Sequence, residues 1–225
     1  MTRDTGAQDR DGLKTPRTTL GRKPERGSHD WETIAAILDE GLICHIAFET
    51  GGQPYAIPTN YGRDGRTLYI HGSPASRMLR SLAEGIPMCV TVTLLDGIIL
   101  ARSVFHHSMN YRSVVVLGTA RRVDAEAEKL HAMKVIVEHI VPGRWGDARI
   151  PNERELKATL VLRMEIDEAS AKVRPGGVSD EPEDMDLPVW AGRLPLSLAV
   201  GEPEVDPEVA LEQVVPAYIR DYKRP

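Results

Sequence analysis

The sequence predicts a mainly β protein with helices, of the α+β class: six or seven antiparallel strands in a small barrel, with two helices inserted between them. Apolar residues recur with a period of two from Leu42 onward, the period changes to a helical one in only a few windows, and Gly and Pro separate the runs.

The elements follow in order. Asp30 is a good N-cap for a helix carrying Trp31, Ile34 and Leu38 on one side, and Gly41 suits its end. Leu42, Cys44, Ile46 and Phe48 share one strand face, and Gly51-Gly52 closes a hairpin into residues 53–61. Pro54 and Pro58 restrict that second strand to an edge. The turn at 63–66 feeds a strand over 67–71. A short helix is expected from Pro74 to about Glu84, with Ser73 as cap, Leu79, Leu82 and Ala83 inward, and Gly85 closing it. Strands are expected over 88–95, 98–105 and 112–123. A longer helix over 124–141 has an Asp cap and Leu130, Met133, Val137 and Ile140 along one side. Residues 156–166 alternate as a long strand.

Residues 1–28 show no hydrophobic period and are expected as a flexible arm; 29–200 form the main domain. The tail 201–225 contains Asp206-Pro207, Ala210, Leu211, Val214 and Val215, a pattern that suits a short helix. At 225 residues and 41% hydrophobic content the chain suits one sizeable core. It contains no apolar run of the roughly 18 residues that a membrane span needs, and no signal-peptide pattern. Cys44 and Cys89 both sit in apolar strands and read as reduced core residues of a cytoplasmic protein. A net charge of −5 argues against a nucleic-acid partner, and the basic residues Arg17, Arg22, Lys23 and Arg26 read as a solvated arm.

Three segments carry the polar chemistry. In His71-Gly72-Ser73-Pro74-Ala75-Ser76-Arg77 a strand runs into a helix start, where backbone N–H groups, the Ser76 hydroxyl and the Arg77 guanidinium suit a phosphate. Taken alone, the same residues also describe a well-capped surface helix with a solvated Arg. The second segment, residues 105–113, packs His106, His107, Asn110, Tyr111, Arg112 and Ser113 between apolar strands. The adjacent histidines face opposite sides of a strand, and no paired-carboxylate or Cys-x-x-Cys pattern accompanies them, so no metal site is expected. Third, Trp190 lies in a segment punctuated by Pro and Gly and is followed by Arg193, as a packing anchor or as a cap on a ring-shaped ligand.

Pro58-Thr59-Asn60-Tyr61, then Leu68-Tyr69-Ile70-His71-Gly72-Ser73 with Ser76-Arg77, then Asn110-Tyr111-Arg112-Ser113-Val114 and Gly118-Thr119-Ala120 occur in an order similar to a known superfamily. It is the pyridoxamine 5'-phosphate oxidase-like, flavin mononucleotide (FMN) binding split barrels, and the branch resembled includes the nitroimidazole reductases. The resemblance implies a six-stranded split β-barrel working as a homodimer, with FMN in a groove shared by two copies. It puts the FMN phosphate on Ser73, Ser76 and Arg77. The ring and ribityl chain would run along Pro58, Thr59, Asn60, Tyr61, Tyr69, Ile70, His71 and Gly72. Asn110, Tyr111, Arg112 and Ser113 would add polar contacts, and Trp190 and Arg193 would come from the second copy. His71 would lie at the flavin edge as the catalytic candidate. Met78 stands where true pyridoxamine 5'-phosphate oxidases carry a second basic residue, and the tail 218–225 lacks their Arg- and His-bearing substrate motif. Vitamin B6 oxidation is therefore not expected.

The function expected is an FMN-dependent oxidoreductase that passes electrons from a nicotinamide donor to a small acceptor, a nitro compound or a quinone. The alternatives are a non-catalytic flavin or haem store or sensor, with His45, His71, His106 or His107 as an axial ligand, and a deazaflavin-dependent reductase.

Overall fold

The computed structural model describes residues 12–208 and 214–224. In chain order come β1 (Gly27–Ser28), α1 (Trp31–Glu40), β2 (Ile43–Thr50), β3 (Gln53–Asn60), β4 (Gly62–Asp64), β5 (Thr67–Gly72) and α2 (Arg77–Ala83). Then follow β6 (Pro87–Leu100), β7 (Ser108–Thr119), β8 (Arg121–Arg122), α3 (Glu126–Ile140), α4 (Arg144–Asp147) and α5 (Glu153–Lys157). β9 (Leu160–Glu165), β10 (Ala169–Arg174), β11 (Gly192–Pro195) and α6 (Ala217–Arg220) complete the described chain. Every strand pair is antiparallel.

The mainly β character with helices holds, and the strands divide into two sheets. One has the order β1-β10-β7-β6-β2-β3, with β11 paired to the stretch of β6 beyond the part that β2 covers; the other is β4-β5-β9-β8. Cys44, Ile46, Val90, Val92, Val114, Val116, Ala169 and Ala171 of the larger sheet meet Leu68, Ile70, Leu162 and Met164 of the smaller one in a single core. α1 adds Ile34, Ile37 and Leu38, and α2 adds Met78, Leu79 and Leu82. Burying side chains of this size stabilises by about 1.5–3 kcal/mol each relative to exposure.

Local chemistry set several boundaries as read from sequence. The Asp30 carboxylate accepts the Thr33 N–H at 2.8 Å, and the Gly41 N–H closes α1 on Ile37. Gly51 and Gly52 have φ of +61° and +78°, as the tight turn between β2 and β3 requires. β3, with its prolines, is the sheet edge.

Other boundaries differ. The strands expected over 88–95 and 98–105 are one strand, β6, in which Asp96-Gly97 makes a bulge against β7 instead of a turn. Residues 104–106 form a short 3-10 turn, not a strand end. The Asp124 side chain pairs with Arg122 and does not cap α3, whose N-cap is Ala125. Ala132 and Ile136 are the fully buried residues of α3, while Leu130, Met133, Val137 and Ile140 are half-buried. The strand expected from 156 begins at Leu160, because Asn152 and Glu155 build a capping box that makes 153–157 helical.

The expected arm is packed in its second half: Leu13 is fully buried, Arg17 and Thr15 bind the Glu168 carboxylate, and β1 pairs with β10. The helix expected around Ala210 and Leu211 falls largely outside the described residues. The tail returns through Arg224, which donates to the carbonyls of Asp39, Glu40 and His139.

Candidate functional site

The larger sheet has one core face and one outward face, and its register assigns residues to each. Cys44, Val90 and Val116 alternate with neighbours that point away from the core. Pairing of Asn60 with Ile43, Pro58 with His45, His45 with Thr91, Thr93 with Ser113, Leu95 with Tyr111 and Ser113 with Lys172 defines a continuous outward surface across five strands. All of these residues are half-buried or exposed. From β3 to β7 the surface spans three strand spacings, about 14 Å.

Four expected site residues, Pro58, Asn60, Tyr111 and Ser113, meet on this surface. His45, Thr91, Thr93 and Lys172 share it. The expected list missed Thr91, Thr93 and Lys172, and named His45 only as a haem ligand; alternation alone would have placed these residues there, once the strand order was known.

The structure sends other expected contacts elsewhere. Thr59, opposite Cys44, lies on the reverse face of β3. Arg112 is also on the core side, where its guanidinium bonds the carboxylates of both Glu40 and Asp96 (Nε to Asp96 at 3.0 Å, Nη2 to Glu40 at 2.8 Å). Those bonds raise its pKa, so it is a fixed cation already matched by two carboxylates. Tyr61 is a core residue whose hydroxyl donates to the Leu38 carbonyl and whose ring lies 4.7 Å from that of His139. Burial pushes its pKa up. Ile70 is in the main core, and Tyr69 packs toward α3 with an edge contact to His131 at 6.1 Å. Tyr61, Tyr69 and Ile70 are thus packing residues within this chain.

His71 follows Tyr69 on the same face of β5 by strand alternation. Its Nδ1 is buried and has no hydrogen-bond partner among the described residues, and burial lowers its pKa, keeping the ring neutral. A neutral histidine with an uncommitted nitrogen is chemically suited to ligate a metal centre or to donate to a ring.

The phosphate corner is rearranged. α2 starts at Arg77, so Pro74 lies in the preceding turn and Ser76, not Ser73, is the N-cap, accepting the Leu79 N–H. Ser73 Oγ accepts the Ala75 N–H at 3.1 Å. Gly72 packs against Leu79, where a Cβ would come within 3.0 Å of Cδ1. The Arg77 guanidinium lies over the Tyr55 ring on the edge strand β3. With seven residues in α2, the helix itself adds little charge, and Arg77 supplies a cation at its start.

Beyond β6, Phe105 is 85% exposed, His106 approaches Glu181 at 3.6 Å and His107 is exposed. The acidic run at 180–186, expected as a solvated loop, is anchored at its start, because Asp180 binds the Arg102 guanidinium at 2.8 Å. Trp190 is 66% exposed and lies against Gly192, where a Cβ would meet its ring at 2.7 Å. Arg193 reaches the Asp96 carbonyl at 3.3 Å. Among the described residues no group of three His, Cys, Asp or Glu is arranged to hold a metal ion, and no helix is long and apolar enough to cross a membrane.

Comparison with known proteins gives a consistent lineage. The family model described as pyridoxamine 5'-phosphate oxidase matches residues 30–173. The flavocytochrome Anf3 from Azotobacter vinelandii is 36% identical, with a TM-score of 0.88 over 94% of this chain and 98% of its own. The FAD and heme binding protein from Mycobacterium smegmatis is 37% identical, with a TM-score of 0.84 over 87% of this chain and 96% of its own. A candidate 5-nitroimidazole antibiotic resistance protein from Bacteroides thetaiotaomicron, at 23% identity and a TM-score of 0.55 over 65% of this chain and 86% of its own, shares the fold. No curated protein matches. Two sheets over one core, the order of the motifs and a family match across more than half of the chain together establish that this protein belongs to the pyridoxamine 5'-phosphate oxidase family.

Proposed function

We propose that the protein is a redox protein that binds a flavin nucleotide together with haem, acts as a homodimer, and passes electrons from a nicotinamide donor to a small acceptor. The observation that carries this reading is the near full-length similarity to a flavocytochrome and to a FAD- and haem-binding protein, each above one third identity. The residues present suit both groups. Pro58, Asn60, Tyr111 and Ser113 offer the flavin a broad surface with polar edges, and Arg77 offers its phosphate a cation. His71 brings a buried nitrogen with no partner among the described residues and would hold the haem iron when that group is bound. When bound, the flavin supplies two-electron and one-electron transfer; the chain's own residues orient it, shield it from water and hold its charge. A flavin-only reductase with His71 at the ring edge is the second reading, supported by the same uncommitted nitrogen.

Homodimerisation is supported by apolar side chains left in the open: Leu95 and Met109 at 47% exposed and Leu194 at 51%, in neighbouring register positions of β6, β7 and β11. The test is the absorbance spectrum of the purified protein, and of the apo-protein reconstituted with FMN, FAD and haemin. Flavin bands plus a Soret band are expected. Failure to bind any of the three would overturn the proposal, and flavin without haem would leave the second reading.

A further inference from the structure

At the end of β10 the Arg174 guanidinium meets a buried amide, and Arg26 stands one residue before β1, whose Gly27 pairs with Lys172 of β10. Arg174 donates through Nη1 to the Met109 carbonyl at 3.2 Å and to Asn110 Oδ1 at 2.9 Å. It forms no ion pair among the described residues, and neither does Arg26, which lies close enough to act on it electrostatically. Burial first, and then Arg26, hold the Arg174 pKa below the ordinary guanidinium value. Asn110 is 1% exposed, and its Nδ2 is buried with no hydrogen-bond partner among the described residues.

The orientation of that amide is not free. Turned over, it would set an NH2 against the Arg174 donor, so Nδ2 is the end that faces elsewhere. It also stays within about 5 Å of the guanidinium, since one amide group spans both contacts. A guanidinium without an ion pair and an orphaned donor thus lie within one amide's length of each other, with Arg26 on the neighbouring strand's lead-in, where β10 stops and β7 runs on toward Ser108. A buried donor without an acceptor costs roughly 1–3 kcal/mol, and the like charge of Arg26 acts against Arg174. The arrangement is complementary to an oxygen anion.

We propose that Arg26, Arg174 and Asn110 form an oxyanion subsite that takes a carboxylate or phosphate group of the bound redox cofactor. The proposal rests on the cofactor reading above. The subsite is distinct from the Arg77 corner: β10 and the edge strand β3 are four strand spacings apart, about 19 Å, so one phosphate does not reach both. Carboxylate and phosphate share the recognition chemistry, and the source is a haem propionate or a flavin phosphate.

The experiment uses the full chain, Arg174→Gln and Asn110→Asp, each titrated with haemin, haem dimethyl ester, FAD, riboflavin and inorganic phosphate. Asn110→Asp is isosteric, gives Arg174 an internal carboxylate and repels an incoming anion, so it keeps the fold if Arg174→Gln does not. Both variants are expected to bind one anionic cofactor about 10- to 100-fold more weakly, with the uncharged analogue unchanged. Loss confined to haemin assigns the propionate, and loss confined to FAD assigns the phosphate. Wild-type titration curves for every ligand in the folded variants would overturn the subsite. If the wild type binds neither haem nor flavin, the cofactor reading falls and inorganic phosphate decides alone. Thermal stabilisation by phosphate that both variants lose upholds the subsite; stabilisation that persists in them, or none in the wild type, overturns it.

Discussion

The guanidinium of Arg77 lies 4.3 Å from the centre of the Tyr55 ring, so the cation at the start of α2 rests on the edge strand of the larger sheet. A ring face holds a guanidinium weakly, by about 0.5–1 kcal/mol at an exposed site, and a phosphate displaces it easily. Arg77→Ala is expected to weaken FMN or FAD binding by about 1.5–3 kcal/mol and to leave riboflavin nearly unaffected. Calorimetric titration checks this; equal losses for both ligands would make Arg77 a support of the fold.

Tyr61 tests whether a residue of the family motif serves packing. Tyr61→Phe leaves the Leu38 carbonyl without its donor in a buried setting. A loss of roughly 1–2 kcal/mol in urea unfolding is expected, with flavin affinity unchanged. A drop in affinity at constant stability would return Tyr61 to the cofactor site.

Arg112 joins α1 to the β6 bulge through Glu40 and Asp96, with all three side chains about a quarter to a third exposed. Arg112→Met leaves the two carboxylates facing each other. The expected cost is about 1–3 kcal/mol. A variant as stable as the wild type in urea would mean the network contributes nothing.

Acid should destabilise the protein through two histidines. Burial sets the folded pKa of His71 and of His139 below the ordinary 6.5; for His139 the bond to the Gly41 carbonyl works in the opposite direction. Below 6.5 the unfolded chain takes up protons that the folded chain does not, so stability present above that value is lost as pH falls toward the folded values. Urea midpoints at about pH 7.5 and about pH 5.5 measure the loss. It should be smaller in His139→Gln, which keeps a donor for the Gly41 carbonyl; an identical loss would clear His139.

Association should depend on the exposed strip of Leu95, Met109 and Leu194. Met109→Asp is expected to give monomers in sedimentation and to lose flavin, while Trp190→Ala weakens flavin with little effect on monomer stability. A monomeric wild type that holds flavin at full affinity would remove the shared-site model.

Sequence made α1 and the β2–β3 hairpin legible because their signals are local: a carboxylate three residues before its N–H, and paired glycines in a left-handed turn. β1, β10 and β11 were not foreseen. They are short, and what makes them strands is a partner far along the chain, such as Arg174 opposite Tyr111. The same distance hid the role of Arg112, whose carboxylates come from α1 and from a bulge. Asp96-Gly97 is a common turn dipeptide, and nothing local separates a turn from a bulge. Pro58, Asn60, Tyr111 and Ser113 were found together because two alternating runs happened to project them to one side.

That bulge works as a change of reading frame within the pleat. Up to Leu95 the odd positions of β6 point outward; past Asp96 they point inward, which sends Ile99 to full burial and leaves Ile98 at the surface beside Leu194. Two neighbouring isoleucines therefore hold opposite offices, and drawing Asp96 into the ladder, so that the strand ran straight, would exchange them, whereas removing Asp96 would leave both where they are. The cost falls on the straightened strand. A straightened strand would forfeit the alignment of β11, whose register pairs Pro195 with Gly97, and with it the course of the segment that follows Trp190. Relatives in which this residue joins the ladder should therefore differ in how their C-terminal segments run, and relatives that simply lack it should not.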